Sequence, residues 1–193
     1  NVKHKWTNAS FYNLYSATVS SEGYLVDPEP LSKKVNSKFN ESSAVFTKDG
    51  NTMYFTRNNF INGKQKMDAS KTTLLKLYKA TKDDEGKWAN VVELPFNSND
   101  YSCAHPALSP DDKTLYFASN MPGTVGQSDI FKVAINSDGS FGTPESLGGG
   151  INTEARETFP FVTDENEIFF ASDGQLGLGG LDVFSVKVYE DGT

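Results

Sequence analysis

The segment Asp138-Gly139-Ser140-Phe141-Gly142-Thr143-Pro144-Glu145-Ser146-Leu147 has two relatives earlier in the same chain. Its skeleton is a glycine, a large apolar residue two positions on, and a leucine six positions after that. The skeleton recurs as Gly23, Leu25, Leu31 and as Gly86, Trp88, Leu94, beside Gly139, Phe141, Leu147. Side chains alternate across a strand, so residues six apart are expected on one face. Each copy therefore predicts a short strand with one buried face. The preceding Glu22-Gly23, Glu85-Gly86 and Asp138-Gly139 supply the positive φ of a tight hairpin. Asp191-Gly192 reads as the start of a fourth copy.

Working outward, the segment before each turn also repeats. It reads Leu14-Tyr15-Ser16-Ala17, Leu77-Tyr78-Lys79-Ala80, Ile130-Phe131-Lys132-Val133 and Val183-Phe184-Ser185-Val186. Two further apolar stretches precede the last three of these. One is Ser43-Ala44-Val45-Phe46, His105-Pro106-Ala107-Leu108 and Phe159-Pro160-Phe161-Val162. The other is Thr52-Met53-Tyr54-Phe55, Thr114-Leu115-Tyr116-Phe117 and Glu167-Ile168-Phe169-Phe170. All are rich in aromatic and β-branched residues, as half-buried strands are. The leucine-to-leucine period is 63 residues and then 53. Four antiparallel strands at such a period predict an all-β chain of β-propeller blades. No stretch carries the i, i+3, i+4, i+7 pattern of a capped helix.

The expected division is one propeller domain: a partial blade over 1–30 (third and outer strands), a blade with a long loop over 31–94, a blade over 95–147, and a blade lacking its outer strand over 148–193. A propeller generally needs at least four blades to close. Further blades, or a partner along the exposed sheet edges, are therefore expected, in a larger propeller.

Composition narrows the function. The 193 residues carry a net charge of −7, which repels a phosphate backbone, so no nucleic acid is expected as partner. No run of 18 apolar residues exists, and the chain is read as not membrane-spanning. The single cysteine, Cys103, excludes an internal disulfide and any multi-cysteine metal site. His4 and His105 stand far apart, so no metal-ligand spacing is present. Gly126-Gln127-Ser128-Asp129-Ile130 lacks the final glycine and the following helix of a nucleophile elbow. Gly148-Gly149-Gly150 has no following Lys-Ser/Thr to cradle a phosphate. The reading is a non-enzyme with no cofactor and no metal.

Candidate binding residues are those that do not repeat. Asp100, Tyr101, His105 and Arg156 fall in or beside the crossovers between blades, and Arg57 begins the longest loop. The repeating positions are read as structural: Gly23, Leu31, Gly86, Trp88, Leu94, Gly139, Phe141 and Leu147, with Asp129 and Asp182 before the third strands. The two aspartates are expected to accept backbone N–H bonds from the preceding loop, a calcium site being the alternative. The triplets Val35-Asn36-Ser37, Phe96-Asn97-Ser98 and Ile151-Asn152-Thr153 read either as Asx-type turns or as a ring of amides around a central funnel.

At Ser109-Pro110-Asp111-Asp112-Lys113-Thr114-Leu115-Tyr116-Phe117-Ala118-Ser119 the chain resembles the repeat core of TolB-like (WD40-like) β-propellers. Asp112 stands where those repeats usually have glycine, which Gly50 keeps. Leu94-Pro95-Phe96-Asn97-Ser98, His105 to Pro110, Ile151 to Glu154, Phe159-Pro160-Phe161 and Gly179 to Phe184 are similar to the propeller of OmpA-family outer-membrane lipoproteins of Bacteroidota, PorE-type proteins among them. The resemblance spans residues 11 to 193. It implies a periplasmic, outer-membrane-associated scaffold that binds an envelope protein or peptide, possible service to type IX secretion, and peptidoglycan contact only through a domain this sequence does not contain. The alternative is the non-catalytic propeller of a larger hydrolase, a peptidase or a glycosidase.

Overall fold

The computed structural model describes residues 10–61, 64–65 and 72–188. His4, Asp191-Gly192 and much of the long loop lie outside the described residues. Every described element is a strand. The leading pair is β1 (Tyr15–Val19) and β2 (Leu25–Pro30). The first full blade is β3 (Glu41–Phe46), β4 (Thr52–Asn58), β7 (Leu75–Lys82) and β8 (Trp88–Glu93), with a minute hairpin of β5 (Phe60–Ile61) and β6 (Lys64–Gln65) inside its long loop. The second blade is β9 (Cys103–Leu108), β10 (Thr114–Ser119), β11 (Asp129–Ala134) and β12 (Glu145–Ser146). The third is the three-stranded sheet β13 (Glu157–Val162), β14 (Glu167–Ser172) and β15 (Asp182–Lys187). All neighbouring strands are antiparallel, so each blade is a meander from an inner to an outer strand.

The blades stack face to face, and the second strands show why. Met53 and Phe55 point toward the leading pair, where they meet Val35, Tyr78, Leu14 and Leu31. Tyr54, one residue out of phase, joins Leu115, Phe117 and Leu94 between the first and second blades. Tyr116 and Ala118 point the other way, toward Ile168 and Phe170 of the third blade. A strand buried on both faces reads as a continuous apolar run, as Met53-Tyr54-Phe55 and Leu115-Tyr116-Phe117 do. Phe55 and Phe117 are wholly buried. Truncating such a ring to alanine costs about 3–5 kcal/mol.

The hairpin glycines lie where the turns need them. Gly23, Gly86 and Gly139 have φ of +83°, +74° and +80°. Each donates its N–H three residues back, to Ser20, Asp83 and Asn136.

The expectation that the two apolar residues of each outer strand share a face is overturned. Trp88 packs toward the leading pair, but Leu94 packs between the first and second blades. Phe141 meets Tyr54 of the first blade and Phe96 of the crossover that follows it, whereas Leu147 meets Phe170 of the third blade. A bulge is the cause. Ala89 faces Thr81 and Val92 faces Lys79, so the outer strand holds one extra residue, with Asn90 at φ +47°. An extra residue inverts the side-chain parity beyond it. The leading pair has the same bulge, with Asp27 at φ +50°. There Leu25 is 75% exposed, on the face that Trp88 and Phe141 bury against a preceding sheet.

The asparagine triplets do more than the expected turn. Asn97 accepts the Leu77 N–H at 3.0 Å and donates to the Leu77 carbonyl at 2.7 Å. Asn36 does the same with Leu14, and Asn152 with Ile130. The side-chain amide thus imitates one residue of a strand and clasps the crossover to the third strand of the sheet it is leaving. Asn97 also donates to the Leu94 carbonyl and Asn36 to that of Leu31, both at 3.1 Å, so the local turn expected of these residues is present beside the longer clasp.

Candidate functional site in the axial groove

Each blade starts with an inner strand, and each inner strand carries the same irregularity. Ser43, His105 and Phe159 have φ of +49°, +56° and +51°. In the second blade Ala104 faces Ala118 while Ala107 faces Tyr116, so β9 has one residue more than β10 over that span. The first and third blades repeat this. A left-handed φ is unusual for residues as bulky as His and Phe. Such bulges bend a strand and re-aim a side chain. Here they turn three equivalent residues onto one wall.

His105 is the centre of that wall. Its N–H donates to Thr56 Oγ1 of the first blade at 2.9 Å. Its Nδ1 lies 2.6 Å from Thr158 Oγ1 of the third blade. Its ring stacks on Phe159, with centroids 3.8 Å apart and planes 20° from parallel. Burial pushes the imidazole down to about 4, so it is uncharged at neutral pH.

On the side of the inter-strand turns, residues 43–45, 105–108 and 159–162 line a cavity of about 300 Å³. Pro106 and Pro160 follow the bulged residues and keep the lining apolar. None of these lining residues is a carboxylate, lysine or arginine. On the crossover side a smaller cavity of about 180 Å³ is lined by Ser102, Asn120, Gln127, Ser128 and Thr158 together with Leu75, Ala104 and Ala118. His105 borders both.

The turns that close the inner hairpins continue directly from the lining strands and so stand at that end of the larger cavity. Asp49 accepts bonds from the Thr47 hydroxyl at 2.6 Å and the Asn51 N–H at 2.9 Å, which hold its carboxyl below the usual range. Asp111 is held down in the same way by Ser109 and Lys113. The Lys48 N–H donates to Asp112 at 2.9 Å, and the Lys48 ammonium lies 3.9 Å from Asp164. One lysine thereby touches the turns of both following blades.

The other candidate residues lie outside the two cavities. Arg57, read from the sequence as beginning the longest loop, lies within β4 and is turned inward. It is 9% exposed, pairs with buried Glu41 at 3.1 Å, donates to the Lys34 and Val35 carbonyls, and lies over the rings of Phe55 and Tyr78. Burial lowers its pKa and raises that of Glu41, and each charge is the other's compensation. Asp100 is exposed and bonded to Ser98. Tyr101 donates its hydroxyl to the Phe96 carbonyl at 2.8 Å, and burial raises its pKa. Arg156 is exposed but held against Asp173, whose carboxyl its guanidinium and N–H keep below the usual range.

Asp129 accepts the N–H groups of Val125 and Gly126, and Asp182 those of Leu178 and Gly179. Among the described residues no cluster of three His, Cys, Asp or Glu could hold a metal. No helix there is long and apolar enough to cross a membrane. Ser43, Thr158 and Phe159 were not among the sequence candidates. The signal for Ser43 and Phe159 is the position equivalent to His105, which varies as Ser, His and Phe inside an otherwise repeating strand; Thr158 has no such signal.

No family model matches the chain, and no curated protein does. Solved structures do. A puromycin hydrolase is 18% identical with a TM-score of 0.53, over 86% of this chain and 25% of that one. A thermostable family-43 glycoside hydrolase is 13% identical with a TM-score of 0.53, over 95% of this chain and 71% of that one. A structure described as TolB from Agrobacterium tumefaciens is 16% identical with a TM-score of 0.50, over 90% of this chain and 61% of that one. The chain thus spans about a quarter of the hydrolase it resembles. At these identities the likeness is one of fold: the chain is a run of β-propeller blades.

Proposed function

We propose that the chain is a non-catalytic binding and scaffolding propeller of a periplasmic, outer-membrane-associated assembly of the OmpA-family, PorE type, with the axial groove as its docking surface for a protein or peptide. The groove carries the reading. Its wall is apolar, its one titratable group is an uncharged imidazole, and a stacked His105–Phe159 pair stands at its centre. Acid–base catalysis needs two positioned groups of matched pKa, and glycoside cleavage needs facing carboxylates. The groove offers a rigid aromatic surface instead, of the kind that anchors interfaces. Service to type IX secretion belongs to the same proposal.

The test places a photo-crosslinking amino acid at Phe159 in the native envelope, with a control at Glu145 on the outer rim. The expected result is one envelope protein joined at Phe159 and absent from the control. Equal labelling at both positions, or none, sinks the reading. A second reading is favoured by the puromycin hydrolase likeness: the chain is the propeller of a larger hydrolase. An α/β-hydrolase segment continuous with this sequence in its gene, and peptidase activity of the whole product, would decide for it.

A further inference from the structure

The wall of the groove is apolar but its rim is acidic. Asp49, Asp111, Asp112, Asp164 and Glu165 stand on the three turns that follow the lining strands, against only Lys48 and Lys113. Lys113 lies 3.9 Å from Asp111, so part of its charge is already answered. Hydrogen bonds from turn residues keep Asp49 and Asp111 ionised. Lys48 reaches from the first turn to Asp164 on the third, so the rim already accepts an ammonium group supplied by the chain itself. Inside, one face of Phe159 is covered by His105, and the residue is 53% exposed. An aromatic face attracts cations, and an uncharged imidazole behind it does not oppose them.

We propose that the groove takes an extended basic segment of a partner protein, an Arg or Lys flanked by apolar residues. The inference rests on the groove being the docking surface. Apolar residues of the segment lie along Phe159 and Pro160, and a cationic side chain farther along it, its stem on the wall beside Val162, brings its head to Asp164 in place of the Lys48 ammonium. Long basic side chains divide themselves in this manner between apolar wall and charged rim. An acidic segment meets the rim with like charge and is excluded, which gives the site a sign preference as well as a shape.

The experiment uses two fluorescein-labelled decapeptides that alternate phenylalanine with arginine or with glutamate, titrated with the 193-residue chain by anisotropy. The basic peptide is expected to bind about tenfold or more tighter than the acidic one at low salt, and to lose most of that margin as salt is raised. The triple variant Asp112→Asn, Asp164→Asn, Glu165→Gln changes groups on turns and is expected to keep its melting midpoint. It should weaken the basic peptide about tenfold and leave little salt dependence. Phe159→Ala should weaken it at any salt. Equal binding of the two peptides, or full binding of the basic peptide to the triple variant, overturns the cation preference. If Phe159→Ala then still abolishes that binding, the groove survives as a peptide site. Binding that ignores Phe159→Ala removes the groove itself.

Discussion

His105 is a single residue on which three blades converge. Its depressed pKa makes stability depend on pH with a definite sign. The unfolded histidine takes up a proton near its ordinary 6.5, and the folded one resists until about 4. Between these values the unfolded state binds more protons, so stability is full above 6.5 and falls as pH drops toward 4. The loss is on the order of 3 kcal/mol if the whole shift is expressed. Urea midpoints measured from pH 7.5 to 4 should show it. His105→Asn, which tolerates the left-handed φ, should flatten that limb of the curve. At this scale the sequence was only partly legible. His105 stood out because it broke a repeat. Arg57 stood out for the same reason, yet it is buried against Glu41, because sequence position before a loop does not tell whether a side chain turns inward. Phe159 was hidden by its apolar surroundings.

Elements were far easier to read than faces. The spacing of glycine, aromatic and leucine marked each outer strand, because turn chemistry and burial both leave residue-level traces. The one-residue bulges left no such trace, since Asp27 and Asn90 look like ordinary polar strand residues, and so the side-chain parity was misjudged. The crossovers hold two predictions. Asn97→Ala removes both bonds to Leu77 and leaves its N–H without that partner, which should cost about 1–3 kcal/mol in chemical denaturation. Gly126 presses on the next crossover: a Cβ there would lie 2.4 Å from the Glu154 carbonyl carbon and the Thr153 oxygen. Gly126→Ala should therefore destabilise by about 1–3 kcal/mol, because backbone must shift. Gly149→Ala, with nothing within 4 Å of the added atom, is the matched control and should change the midpoint little.

For the molecule as a whole, the period gave the architecture and the count of sheets. What it could not give was the meeting of three turns through Lys48, which depends on how far each blade rotates about the axis. The stack ends in two apolar faces. Tyr15, Val19 and Leu25 are exposed at one end, and Phe161 and Val183 at the other, beside the unpaired edge of β15. Exposed sheet edges recruit further strands. Sedimentation velocity at about 100 µM should show concentration-dependent association of this chain. The double substitution Phe161→Glu, Val183→Lys should reduce it without altering the far-ultraviolet spectrum. A monodisperse species for the unsubstituted chain would contradict the expectation.

The asparagine clasps bear on what happens under tension. A chain tugged from its last strand transmits load through Asn152 to Ile130, then through Asn97 to Leu77, then through Asn36 to Leu14. Each amide is a rivet between one sheet and the ribbon leading to the next, so rupture proceeds sheet by sheet from the loaded end. The 53 residues between Leu94 and Leu147 would pay out about 190 Å of slack per event. Pulled from one end, the chain would in this way lengthen in increments while its remaining sheets stay folded.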